Sequence, residues 1–193
     1  MKREIRISGF GGQGVIKCAF IIGKAASIFD TKFATMTQSF GPEARGSACS
    51  AQLVIEDEKV EYPYIQHTEI LVSMSQDAYR KFEPELNNDG LLLVDEDLVK
   101  PDPPRDKIRM YSVPALRFSE ELGNKIVVNI VMFGFFVAMT DNLLGYDAAV
   151  KAIETSVPKA TLDLNMKAFH MGYEYGKDLL KVKEKEKDKA KEG

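Results

Sequence analysis

The chain is 193 residues long, with 45% hydrophobic and 28% charged side chains. That is the balance of an ordinary soluble domain, which buries roughly 70% of its unfolded surface without needing a disulfide or a metal. Twenty-six basic against 29 acidic residues leave a net charge of −3; no basic excess exists to drive phosphate-backbone binding, which argues against a nucleic-acid protein. Two cysteines, Cys18 and Cys49, exclude a disulfide framework and cannot alone ligate a four-cysteine zinc or iron–sulfur site.

Glu4 to Ser8 alternates as a strand and meets the glycine run Gly9-Phe10-Gly11-Gly12-Gln13-Gly14. Apolar residues then recur at helical spacing from Val15 to Phe29. Phe33 to Thr37 reads as a second strand, and the turn-rich segment Gln38 to Ser47 follows it. Cys49 to Ile55 alternates as a strand, and Glu56 to Lys59 reads as a turn into a short return strand. Glu69 to Met74 and Leu91 to Val94 have the pattern of strands buried in a parallel sheet. A helix is predicted over Gln76 to Leu86, and Asn87-Asn88-Asp89-Gly90 has strong turn chemistry.

The proline cluster Pro101 to Pro104 is a loop, and Ile108 to Val113 is another strand. Helices are predicted over 115–122, 126–140, 146–155 and 161–181. No secretory pattern follows Met1. The apolar stretch from Ile126 to Met139 is too short to span a bilayer and is interrupted by Asn129 and Gly134, so it reads as a buried helix. The chain is therefore expected in the cytoplasm, away from membranes, with both cysteines reduced. The fold class is α/β: a Rossmann-like, mostly parallel sheet flanked by helices, with an antiparallel or mixed section around 48–61 and a helical C-terminal part. Residues 1–180 form one domain, and the low-complexity segment 181–193 is a charged flexible tail, a fraying helix extension or a disordered end.

Gly9, Gly11 and Gly14 fit G-x-G-x-x-G after a strand and before a helix, the context that gives that motif its meaning. Glycines permit a tight turn and close approach, and the N–H groups of the helix start face an anion such as a phosphate. The alternative is that they only allow strand and helix to pack closely. A nicotinamide enzyme also needs an acid at the end of the second strand, where Met36-Thr37-Gln38-Ser39 carries none; Asp30 lies before that strand. Gln13 places an amide in the turn, to bond a ligand or to brace the loop. In the segment after the second strand, Arg45 can clamp a phosphate or carboxylate, bind a partner chain, or pair locally with Glu43.

The two motifs together, Gly-Phe-Gly-Gly-Gln-Gly at 9–14 and Gln-Ser-Phe-Gly-Pro-Glu-Ala-Arg-Gly at 38–46, resemble the gamma subunit of 2-oxoacid:ferredoxin oxidoreductases. Tyr62-Pro63, Asp95 at a strand end, and Asn129 with Gly134 match as well, over roughly residues 3 to 175. The Pro-Glu-Ala-Arg-Gly wording is most similar to the 2-oxoglutarate branch.

The resemblance implies a chain that completes a complex with alpha, beta and ferredoxin-like delta subunits, the complex passing electrons to ferredoxin. It implies thiamine diphosphate and iron–sulfur clusters on those partners, and coenzyme A as a ligand shared with this chain. The implied contact residues are Gly9, Gly11, Gly12, Gln13, Gly14, Ser39, Arg45 and Gly46, with no catalytic residue on this chain. Two readings remain beside it: a free-standing NAD(P)-binding oxidoreductase, and a purely structural subunit without a ligand.

Overall fold

The computed structural model describes residues 1–39, 48–103, 105, 107–140 and 143–191, the side chains of 186–191 excepted. Strand β1 (Lys2–Phe10) leads through the glycine turn into α1 (Val15–Lys24), which ends in a wider helical turn over Ala25–Phe29. β2 (Phe33–Ser39) and β3 (Ala48–Glu56) follow, then β4 (Thr68–Ser73), the short α2 (Gln76–Phe82), β5 (Leu86–Asp95) and β6 (Arg109–Val113). The rest is helical: α3 (Ala115–Glu121), α4 (Val128–Met139), α5 (Tyr146–Glu154) and α6 (Leu162–Lys191).

The strands form one six-stranded sheet in the order β2-β3-β1-β4-β5-β6. β1, β4, β5 and β6 run parallel, while β3 lies antiparallel between β1 and β2. The mixed section predicted around 48–61 is therefore real, and it comes from β3. This direction pattern places the carboxyl ends of β1, β2, β4, β5 and β6, with the start of β3, along a single edge of the sheet.

Alternation along the strands sends Ile5, Ile7, Leu53, Ile55, Val72 and Leu93 to one face, against α1 and α4, and Leu71, Leu92 and Val94 to the other, against α2. Every residue of α4 is buried, which accounts for the apolar stretch seen in the sequence: it is a central core helix. α6 packs across it at a distance only glycines allow. A Cβ on Gly172 would run into the Val131 carbonyl, and one on Gly134 into that of Phe169.

Two expectations are corrected. Asn87–Gly90 is not a turn between elements but a bulge within β5: Leu86 pairs with Thr68 and Leu91 with Ile70, so four residues bow out opposite Glu69. Leu86 and Leu91 are each about 2% exposed, and burying both outweighs the local turn preference. No return strand follows β3 either. Residues 57–67 are irregular, and the Gln66 and His67 N–H groups donate to the Glu4 carboxylate (2.6 and 2.7 Å) rather than to a neighbouring strand. The last helix, predicted to 181, continues to Lys191, with Lys183 Nζ 3.9 Å from the centre of the Tyr111 ring.

Candidate functional site

The glycine turn leaves β1 at the carboxyl edge of the sheet and opens α1. Gly14 has φ 74° and caps the helix, whose first turn holds no acidic residue and no side-chain cap. Its amide groups are thus left to whatever approaches from outside, in the favourable field of the helix start.

The glycines of the motif divide by what surrounds them. A Cβ on Gly9 would sit 2.6 Å from Gln13 Oε1 and 2.9 Å from Val15, and one on Gly14 would strike the Asn129 amide. Those two are required by packing within the chain. Gly11 and Gly12 are exposed, and a Cβ on either meets nothing within 4 Å. Gly12 is held at φ 94°, so its backbone also demands glycine, whereas Gly11 is required neither by its backbone nor by any neighbour among the described residues.

Gln13 braces the turn. Its Oε1 accepts from Phe10 N (2.7 Å) and its Nε2 donates to the Met74 carbonyl (2.8 Å), tying the ends of β1 and β4 together. Ser39 ends β2 on the same edge, exposed and paired in register with Ser50. One strand, β3, separates it from β1, which sets the two about 10 Å apart. Arg45 and Gly46 lie outside the described residues.

Other polar and ionisable residues are bound or buried elsewhere in the fold. Asp30 accepts from Lys32 Nζ (2.8 Å) and Gly145 N (3.2 Å) at the opposite edge of the sheet, remote from the glycine turn. Asp95 is fully buried; desolvation pushes its pKa up, and it accepts from the N–H groups of Asp97, Leu98 and Leu116, the last at the start of α3. Burial pushes the Cys18 thiol up to about 12, which makes it a core side chain rather than a nucleophile. His170 Nδ1 lies 3.1 Å from the Tyr146 hydroxyl, away from the turn. Among the described residues no cluster of metal-ligating side chains occurs, and no helix is long and apolar enough to cross a membrane.

Sequence reasoning about the turn missed a cavity beside it. About 290 Å³ of space is bounded by Gly12, Gly14 and Lys17, by the start of α4, and by the 157–165 segment that leads into α6. Asn129, 4% exposed, lines it and donates from Nδ2 to the Gly14 carbonyl at 3.3 Å. Asn165, 8% exposed, also lines it and donates to the Thr161 carbonyl at 2.8 Å. The signal was present: a polar amide interrupting an apolar helix is buried against something that needs it.

Comparison with known proteins agrees with this geometry. A 2-oxoglutarate synthase subunit KorC of Methanocaldococcus jannaschii is 46% identical over 181 residues, covering 93% of this chain and 96% of that protein. The crystal structure of a keto/oxoacid ferredoxin oxidoreductase gamma subunit from Geobacter sulfurreducens superposes with a TM-score of 0.80 at 39% identity, covering 90% of this chain and 98% of that one. A 2-oxoglutarate:ferredoxin oxidoreductase from Magnetococcus marinus, solved with 2-oxoglutarate, coenzyme A and succinyl-CoA bound, shares the fold: TM-score 0.84 at 18% identity, over 92% of this chain and 31% of that longer one. Residues 4–175 match the pyruvate ferredoxin/flavodoxin oxidoreductase family, and the chain belongs to that family, among its gamma subunits.

Proposed function

We propose that this chain, as the gamma subunit of a 2-oxoglutarate:ferredoxin oxidoreductase, completes the complex and forms part of the coenzyme A side of its active site. Oxidative decarboxylation relies on thiamine diphosphate and iron–sulfur clusters held by the alpha, beta and ferredoxin-like delta subunits, with ferredoxin as the acceptor. The substrate assignment is supported by the near full-length similarity to a 2-oxoglutarate synthase subunit.

The observation that carries the ligand role is Gly11. It is exposed on the carboxyl edge where open α/β sheets bind ligands, and none of the described residues requires it to be glycine. A ligand or reacting group that comes close to the backbone does require it. Coenzyme A brings several phosphates, and the uncapped start of α1, Arg45 and the backbone of Gly12, Ser39 and Gly46 form a set suited to them. Gln13, Gly9 and Gly14 hold the glycine turn itself in shape. The NAD(P) alternative has no support from Asp30, which is bound at the far edge.

In the assembled complex, Gly11→Val is expected to raise KM for coenzyme A about tenfold or more with subunit composition unchanged. Arg45→Ala is expected to act in the same direction. Wild-type coenzyme A kinetics in both variants would reject the ligand role, and a complex that falls apart on Arg45→Ala would reassign that residue to the subunit interface.

A further inference from the structure

The two outer strands of the sheet are finished differently. At one side β6 is five residues long, begins with Arg109, and is packed by α6, whose Lys183 stands over the Tyr111 ring. At the other, β2 is seven residues long and pairs on one side only, with β3, in an unbroken register from Phe33 to Ser39. Its sequence, Phe-Ala-Thr-Met-Thr-Gln-Ser, holds no charge, no proline and no glycine, and none of its residues is buried. Soluble chains blunt such a strand with charges, prolines, bulges or a covering element, because its free N–H and C=O groups otherwise template a further strand. Among the described residues β2 has none of these protections.

The surface beside β2 is apolar as well. Alternation sends Ala34 and Met36 to the α1 face, where with Gly23 and Leu53 they line a groove of about 330 Å³. Phe20 and Ile28, 50% and 66% exposed, stand at the same groove. The one cation lining it among the described residues, Lys24, is engaged within the chain: its Nζ donates to the Thr155 carbonyl (2.9 Å) and the Ser156 hydroxyl (3.2 Å). Such a surface is its own complement. Protruding apolar side chains lie next to an apolar groove, so one patch supplies both halves of an isologous two-fold contact. An antiparallel pairing about an axis at Met36 sets Thr35 opposite Thr37 of the second copy, Ala34 opposite Gln38, and Phe33 opposite Ser39. No like charges meet, and Thr–Thr pairs are favourable in such ladders.

We propose that β2 is the docking strand for a second copy of this chain. The contact joins two six-stranded sheets into one across a two-fold axis, with Phe20 and Ile28 of each copy seated against the groove of the other. A complex built on it contains its gamma chains in pairs. The glycine turn takes no part, so this contact and the coenzyme A reading stand or fall separately.

The test uses the assembled complex and the purified full chain. In the pairing about Met36 the two Met36 Cα atoms lie about 4.5–5.5 Å apart, within reach of a disulfide. The two Phe33 Cα atoms lie roughly 20 Å apart, out of reach. Both native cysteines are buried. Oxidation of the Met36→Cys complex with diamide is therefore expected to yield a disulfide-linked pair of gamma chains, and the Phe33→Cys complex about tenfold less of it or none. For the full chain, the native mass is expected at twice 21.6 kDa. Thr35→Lys combined with Phe20→Lys, two exposed or half-exposed positions, restores the missing charges and is expected to return it to the single-chain mass with an unchanged circular dichroism spectrum. Three results would overturn the proposal: no linked pair from Met36→Cys, a double-lysine variant that stays paired, or photoreactive p-benzoylphenylalanine at Phe20 cross-linking the complex to a different subunit. The last would assign β2 to a strand from that subunit.

Discussion

Glu4 shows how a single buried acid organises a loop that the sequence reading assigned to a strand. It is 6% exposed at the start of β1, accepts from Gln66 and His67 N–H, and pairs with Lys2 at 2.8 Å. Burial by itself pushes its carboxyl up, but the Lys2 ammonium and the two backbone N–H groups outweigh that and hold its pKa below the usual value. A lowered acid pKa contributes stability that is full above the ordinary value and is lost as pH falls through the folded one. Segment 57–67 is therefore expected to stay docked at neutral pH and to loosen only below about pH 4.5, the ordinary value. The Gln66 and His67 amide resonances report this directly in an NMR titration. A midpoint above the ordinary glutamate value would contradict the assignment. The same residue explains why a return strand was expected where none forms: nothing in Tyr62-Pro63-Tyr64 reveals that a distant carboxylate will take the backbone donors of the residues after it.

At the scale of elements, α4 and α6 meet backbone against backbone. Val131 and Phe169 carbonyls press against Gly172 and Gly134, so the helix backbones approach without intervening side chains. Gly172→Ala adds about 1 kcal/mol of helix propensity, but its methyl has only backbone to displace, and the helices must part. Overpacking of that kind costs about 2 kcal/mol or more. Urea unfolding is expected to shift to a lower midpoint at an unchanged slope; a midpoint equal to or above wild type would show that the helices can separate freely. Helices α4 and α6 were readable from their apolar spacing, and α4 as a core helix from its unbroken hydrophobicity. The bulge in β5 was not. Asn-Asn-Asp-Gly is locally a turn, and only the demand that both Leu86 and Leu91 face the interior makes it a bow in a continuous strand.

At the scale of the whole molecule, the edge that carries the glycine turn was legible because its chemistry is local: a strand, four glycines at fixed spacing, and a helix. The division of labour among those glycines was not, since it depends on Met74 and Asn129 arriving from elsewhere in the fold. The cavity was legible only in part: Asn129 stands out in its apolar helix, but nothing in the sequence shows that the segment around Asn165 comes to face it. The feature that stands out on that edge among the described residues is the backbone turn, to which the proposed coenzyme A contact is assigned. That character fits a chain that works within a complex.

The most direct test of that conclusion is purification of the tagged chain from its native cells, with identification of everything that stays bound and assay of the purified material. Co-purifying thiamine diphosphate-dependent and ferredoxin-like chains, with coenzyme A-dependent oxidation of 2-oxoglutarate, is the expected result. A solitary protein carrying a bound dinucleotide would contradict it.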